Sequence, residues 1–187
     1  MAAHELILGG QRSGKSRCAE ARAAAWLAQP GHSAVLLATA LAGDGEMHAR
    51  IARHRVDRAR RVPGLDTAEV PRELPQAVAE QSAPTRLVVI DCLSLWWTNL
   101  LMPIDGQAVT DAELAGARDG LRDVLEAASG PVLLVSNEIG LGITPLTREA
   151  RRFVDELGRL HQLVAATCAN VTLMVAGIEL PVKRGGA

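Results

Sequence analysis

The run GGQRSGKS at Gly9–Ser16 fits the pattern GxxxxGK[ST], and its neighbours decide what it means. Leu6-Ile7-Leu8 reads as a buried strand, and an Ala/Arg-rich helical stretch opens after Ser16. That is the strand, loop and helix order of a phosphate-binding loop. In such a loop the backbone N–H groups of Gly9, Gly10, Gln11, Arg12, Ser13 and Gly14 converge on phosphates. Lys15 reaches the β and γ oxygens, and the Ser16 hydroxyl holds Mg²⁺. The chain is therefore expected to use ATP or GTP with Mg²⁺.

The rest of the sequence suits an α/β fold with a mostly parallel sheet and helices on both faces. Leu6–Leu8, Ala34–Thr39, Leu87–Ile90, Val132–Ser136 and Val171–Ala176 read as buried strands. Helices are expected over Lys15–Gln29, Glu46–Arg61, Arg72–Gln81, Leu93–Met102, Asp111–Ala128 and Thr147–Cys168. With 187 residues, 48% of them hydrophobic, the chain buries enough surface for one P-loop domain spanning residues 1–187. Ligands in such sheets gather beyond the carboxyl ends of the strands, so Gly9–Ser16, Thr39–Gly45, Asp91 and Asn137–Gly142 should line one rim.

A net charge of −1 gives no global basic field, so nucleic acid is not an expected partner. Cys18, Cys92 and Cys168 lack CxxC or Cys/His spacing, which argues for buried thiols in a reducing compartment. No stretch reads as a signal peptide or membrane span, and a cytoplasmic location is expected.

Asp91 ends an apolar strand, where a carboxylate can hold Mg²⁺ or its waters opposite Ser16; it also suits the cap of the next helix. Half of positions 50 to 61 are Arg. In a helix, Arg50, Arg53, His54, Asp57, Arg58 and Arg61 fall within an arc of about 140°. A solvated face is one reading, but apart from Asp57 this stretch has no acid after Glu46, and guanidinium forks suit phosphates. Neighbouring cations favour a neutral His54 with a free lone pair, while Asp57 pulls the other way. Asn137 and Glu138 follow a core strand and emerge at the rim, as substrate contacts or as part of a glycine-rich turn. Trp96 and Trp97 suit core packing better than stacking on a flat ligand.

Taken together, LILGGQRSGKSRCAE, the GEMHARIARHR helix, Thr67-Ala-Glu69, VVIDCLSLWWTNLL, VSNEIGLGITP and LGRLHQLVAATCANVTLMVAG resemble, nearly end to end, the bifunctional adenosylcobinamide kinase / adenosylcobinamide-phosphate guanylyltransferase family of cobalamin biosynthesis. The resemblance implies two reactions. The γ-phosphoryl of ATP or GTP passes to the aminopropanol hydroxyl of adenosylcobinamide. A histidine then takes GMP from GTP and delivers it to adenosylcobinamide phosphate, giving adenosylcobinamide-GDP. The family's RxxxH pattern falls on Arg50 and His54, making His54 the guanylylated residue and Arg50 a substrate contact. Thr39, Ala40, Leu41, Arg55, Val56, Asp57, Arg58, Glu69 and Asp91 match nucleotide-contacting positions, and a homotrimer is implied. An acid at Glu69 would accept from guanine N1 and N2, which adenine cannot match.

Two other classes remain in view. A P-loop kinase of another small metabolite would transfer γ-phosphoryl without a covalent nucleotide. A nucleotide-dependent switch protein would hydrolyse slowly and need no acceptor.

Overall fold

A computed structural model describes residues 3–43 and 45–185, except the side chains at positions 46–48, 50, 51 and 54. Along the chain run β1 (Glu5–Gly9), α1 (Lys15–Leu27), β2 (Ser33–Ala38), α2 (Gly45–Arg61), β3 (Leu65–Glu69), α3 (Leu74–Gln81), β4 (Arg86–Asp91), α4 (Leu93–Leu101), α5 (Asp111–Ala127), β5 (Val132–Asn137), α6 (Arg148–Thr167), β6 (Asn170–Val175) and β7 (Ile178–Lys183). The strands form one sheet in the order β3-β2-β4-β5-β1-β6-β7. Every neighbouring pair is parallel except β6 and β7. The helices and strands expected from the sequence are present, with ends moved by one or two residues.

Two strands escaped the sequence reading. In β3 only Leu65 and Ala68 of Leu-Asp-Thr-Ala-Glu are apolar, because an edge strand is covered on one side only. Every residue of β7 is exposed, and Pro181 sits where an edge tolerates it. It is joined to β6 through Ala176 and Gly177, at φ 51° and 83°. That pair of left-handed residues is the two-residue turn that suits a twisted hairpin.

The central strands alternate between two cores. Val35, Leu37, Val88, Ile90 and Leu134 face the layer built by α3, α4, α5 and α6. Leu36, Leu87, Val89, Leu133 and Val135 share the opposite cluster with Cys18, Ala19 and Ala23 of α1. Trp96 and Trp97 are fully buried in the first core, ring centroids 5.3 Å apart, and the Trp96 indole N–H donates to the Arg72 carbonyl at 2.7 Å. Each buries roughly 150–250 Å². Both are core residues, as expected. Among the described residues no helix is long and apolar enough to cross a membrane.

α5 begins on a capping box, in which Thr110 and Glu113 satisfy each other's backbone N–H, and α6 begins on Thr147, whose hydroxyl accepts from the Ala150 N–H. α2 is tied down near its C-terminus, where Arg58 and the following Val62 are buried and Arg61 pairs with Glu20 of α1 at 3.1 Å.

Candidate functional site

The loop between β1 and α1 has a backbone that requires glycine at positions 9 and 14. Gly9 sits at φ 154°, and a Cβ there would lie 2.5 Å from the Met174 carbonyl oxygen and 2.6 Å from Ser13 Oγ. Gly14 caps α1 in a left-handed conformation at φ 102°. The loop is braced from two sides: the Gly177 N–H of the β6–β7 turn donates to Ser13 O at 2.9 Å, and the Glu138 N–H donates to Gly9 O at 2.9 Å. Lys15 is 8% exposed and donates to Gly10 O at 2.6 Å. Burial lowers its pKa, opposed by Cys92 and Asp91. With three N–H donors, its ammonium can keep Gly10 and still meet an incoming anion. Ser13 Oγ is buried without a hydrogen-bond partner, a polar orphan on the loop that a phosphate oxygen would satisfy. Gln11 and Arg12 are exposed, Arg12 at φ 57°.

The next strand ends complete the rim. Asp91, half-buried, closes β4, with β5 between it and the loop strand. Thr39 is fully buried: its hydroxyl donates to Cys92 O at 2.7 Å and accepts from the Cys92 N–H at 2.9 Å. Its side chain therefore ties the exit of β2 to the peptide that follows β4. The buried Asn99 amide donates to Thr39 O and Pro71 O, at 2.7 and 2.9 Å, fixing the exits of β2 and β3. Ala40 is half-buried and Leu41 exposed beside them.

At the far edge, Arg55, Arg58, Ala59, Leu65, Thr67 and Glu69 line a cavity of about 460 Å³ between α2 and β3. Arg55 is ion-paired with Glu69, and Arg58 reaches the Thr67 hydroxyl at 3.5 Å. The arginines of α2 thus have acidic partners on other elements, Glu69 and Glu20, which the local sequence did not reveal. Val56 and Asp57 are exposed. The side chains of Arg50 and His54 lie outside the described residues; their positions belong to α2, with 54 one turn before Arg58. Register connects the two ends of the site: Ile7 pairs with Val135, Val135 with Asp91, Asp91 with Ala38, and Ala38 with Glu69. Four interstrand steps place Glu69 about 19 Å from β1, a span suited to an extended nucleoside triphosphate.

The end of β5 brings Asn137 and Glu138, both expected at the rim, against Ser94 and His161, which sequence reasoning did not single out. Asn137 Nδ2 donates to Ser94 Oγ at 3.1 Å, and Ser94 Oγ lies 3.1 Å from Cys92 Sγ. Glu138 accepts from the Gly140 N–H at 2.6 Å and faces His161 Nδ1 at 3.7 Å, while His161 Nε2 lies 2.7 Å from Ser136 Oγ. Burial lowers the His161 pKa, and Glu138 opposes that. A lone histidine on an amphipathic helix carries no motif, and its partners sit more than twenty residues upstream.

Ser16 and Asp91 offer a hydroxyl and a carboxylate, hard oxygen donors of the kind that hold Mg²⁺ together with phosphates and waters. The arrangement can therefore cradle a polyphosphate at one end and a cation-bordered ring at the other.

The family profile described as cobinamide kinase / cobinamide phosphate guanyltransferase matches residues 5–182. The chain is 46% identical over 179 residues to the bifunctional adenosylcobalamin biosynthesis protein CobP of Pseudomonas aeruginosa, covering 96% of each. It is 36% identical over 186 residues to the bifunctional adenosylcobalamin biosynthesis protein CobU of Salmonella typhimurium, covering 95% of this chain and 98% of the relative. The flagellar accessory protein FlaH of Methanocaldococcus jannaschii superposes with a TM-score of 0.53 over 98% of this chain and 79% of its own, at 13% identity, a likeness of fold alone.

Proposed function

We propose, since this chain belongs to the cobinamide kinase / cobinamide phosphate guanyltransferase family, that it catalyses two transfers on one rim. In the first, the γ-phosphoryl of ATP or GTP moves to the aminopropanol hydroxyl of adenosylcobinamide. In the second, a ring nitrogen of His54 attacks the α-phosphorus of GTP and pyrophosphate leaves. A phosphate oxygen of adenosylcobinamide phosphate then attacks the same phosphorus and breaks the N–P bond, giving adenosylcobinamide-GDP. A covalent intermediate divides one difficult displacement into two.

The observation that carries this reading is the rim itself, with the phosphate loop and buried Lys15 at one end and the arginine- and Glu69-lined cavity at the other. The loop N–H groups and Lys15 bind the polyphosphate, Arg55 and Arg58 border the nucleoside end, and α2 also carries position 54, one turn before Arg58. Ser16 and Asp91 are the residues that would hold Mg²⁺, which supplies charge neutralisation of the phosphates when bound. Glu69 has oxygen lone pairs beyond those that Arg55 uses, so a carboxylate there can serve guanine N1–H and N2–H as well.

The test supplies adenosylcobinamide with ATP labelled at the γ-phosphorus and GTP labelled at the α-phosphorus. Both labels are expected in one corrinoid product. γ-label alone in the corrinoid would leave only a kinase, and label in neither position would refute the reading.

A further inference from the structure

The strand between the phosphate loop and Asp91, β5, ends in Ser136 and Asn137, and Glu138 directly after it offers a carboxylate at the rim. Ser136 is fully buried, and Asn137 is pinned to Ser94. Glu138 is joined to the loop itself, its N–H on Gly9 O at 2.9 Å, and its side chain keeps 22% of its surface open. Of the other carboxylates ending parallel strands, Asp91 is the Mg²⁺ candidate and Glu69 stands about four strand spacings, roughly 19 Å, from the loop strand. A hydroxyl acceptor is a poor nucleophile, and a carboxylate within hydrogen-bond reach of it is the usual remedy in phosphoryl transfer.

Behind Glu138 stands a chain of groups that no surface role requires. A carboxylate accepts but does not donate, so the His161 nitrogen facing it, Nδ1, is the protonated one. Nε2 then accepts from the Ser136 hydroxyl, 2.7 Å away, which fixes the tautomer. Ser136, His161 and Glu138 follow the order of a hydrolytic triad, but the serine end is sealed, with Ser136 0% and His161 7% exposed. The carboxylate is the working end. One of its oxygens is held by the Gly140 N–H and the other faces His161 at 3.7 Å, a separation that commonly tightens when substrate arrives.

We propose that Glu138 is the proton acceptor of the kinase reaction and that His161, held by Ser136, is its positioning residue. The assignment rests on the kinase half of the function proposed above. As the acceptor oxygen forms its bond to the γ-phosphorus, the hydroxyl proton passes to the Glu138 carboxylate. The bond from γ-phosphorus to the β–γ bridging oxygen breaks, the nucleoside diphosphate leaves with that electron pair, and Glu138 later returns its proton to solvent.

The experiment follows γ-label from ATP into adenosylcobinamide and, separately, α-label from GTP onto the protein without corrinoid. Glu138→Gln is expected to lower kinase kcat about 10²- to 10⁴-fold. KM for adenosylcobinamide should stay within about threefold, and kinase kcat should fall at least about 100-fold more than the rate of protein labelling, as loss of a proton acceptor requires. Glu138→Asp, which keeps a carboxylate, should recover part of the loss. His161→Phe is expected to lower kinase kcat about 10- to 100-fold, with KM again within about threefold and protein labelling unchanged, and His161→Asn, whose amide N–H stands where Nδ1 does, to restore most of it. A Glu138→Gln enzyme within threefold of wild-type kcat, one altered in KM alone, or a parallel fall in both reactions would overturn the assignment. A wild-type protein lacking both transfers would overturn the functional reading beneath it, an outcome distinct from these.

Discussion

Thr39→Val isolates the clamp between the ends of β2 and β4. The substitution preserves shape but removes a hydroxyl that both donates to Cys92 O and accepts from the Cys92 N–H, at 2.7 and 2.9 Å, in a site with no solvent exposure. Thr and Val differ here by hydrogen bonding rather than volume. The Cys92 carbonyl keeps the Trp96 N–H at 3.1 Å, so the chief loss is the orphaned Cys92 N–H. An unsatisfied buried donor costs about 1–3 kcal/mol, and we expect about 2 kcal/mol. In a domain of this size each kcal/mol moves the melting temperature by roughly 2–4 °C, so Tm should fall by about 4–8 °C in a calorimetric scan. Thr39→Ser keeps both bonds and loses one methyl, about 0.8 kcal/mol. The Thr39 N–H to Asp91 O bond is untouched in both variants, so the damage stays at the peptide following Asp91. Nucleotide affinity measured by titration should weaken in the valine variant more than in the serine variant. A valine variant melting within 1 °C of wild type, or a serine variant equally unstable, would refute the clamp.

Two further predictions concern the nucleoside cavity and the thiols. Glu69→Gln should reduce the preference for GTP over ATP in protein labelling by about 10- to 100-fold, the worth of hydrogen bonds to a charged acceptor; unchanged selectivity would remove Glu69 from guanine recognition. Cys18 and Cys168 are buried and pushed up to about 12, and burial also raises Cys92. Upward shifts keep all three thiols protonated at pH 8, so iodoacetamide at that pH should leave them unmodified until denaturant is added. Rapid alkylation of the native protein would contradict that burial.

What the sequence discloses about this fold follows burial. β1, β2, β4, β5 and β6 carry apolar runs because helices or neighbouring strands cover them, and such runs can be read directly. β3 and β7 lie on the edges, where one-sided or absent cover leaves mixed sequences such as Leu-Asp-Thr-Ala-Glu without a clear period. The phosphate loop was readable because its function depends on contiguous residues. Asn99 and His161 were not, nor was the clamp that Thr39, expected as a nucleotide contact, makes on Cys92, since each acts through backbone or side chains 25 to 60 residues away. The Arg55–Glu69 pair was hidden for the same reason: the acid that partners the arginine helix lies on β3 rather than one turn along α2.

The most direct test of the two-transfer mechanism is to incubate the protein with Mg²⁺ and GTP labelled at the α-phosphorus, without corrinoid, and measure label on the chain in wild type and His54→Asn. Acid-labile, base-stable label on the wild type, absent from the variant, is the predicted result. No label on the wild type, or equal label on the variant, would contradict nucleotidyl transfer through His54.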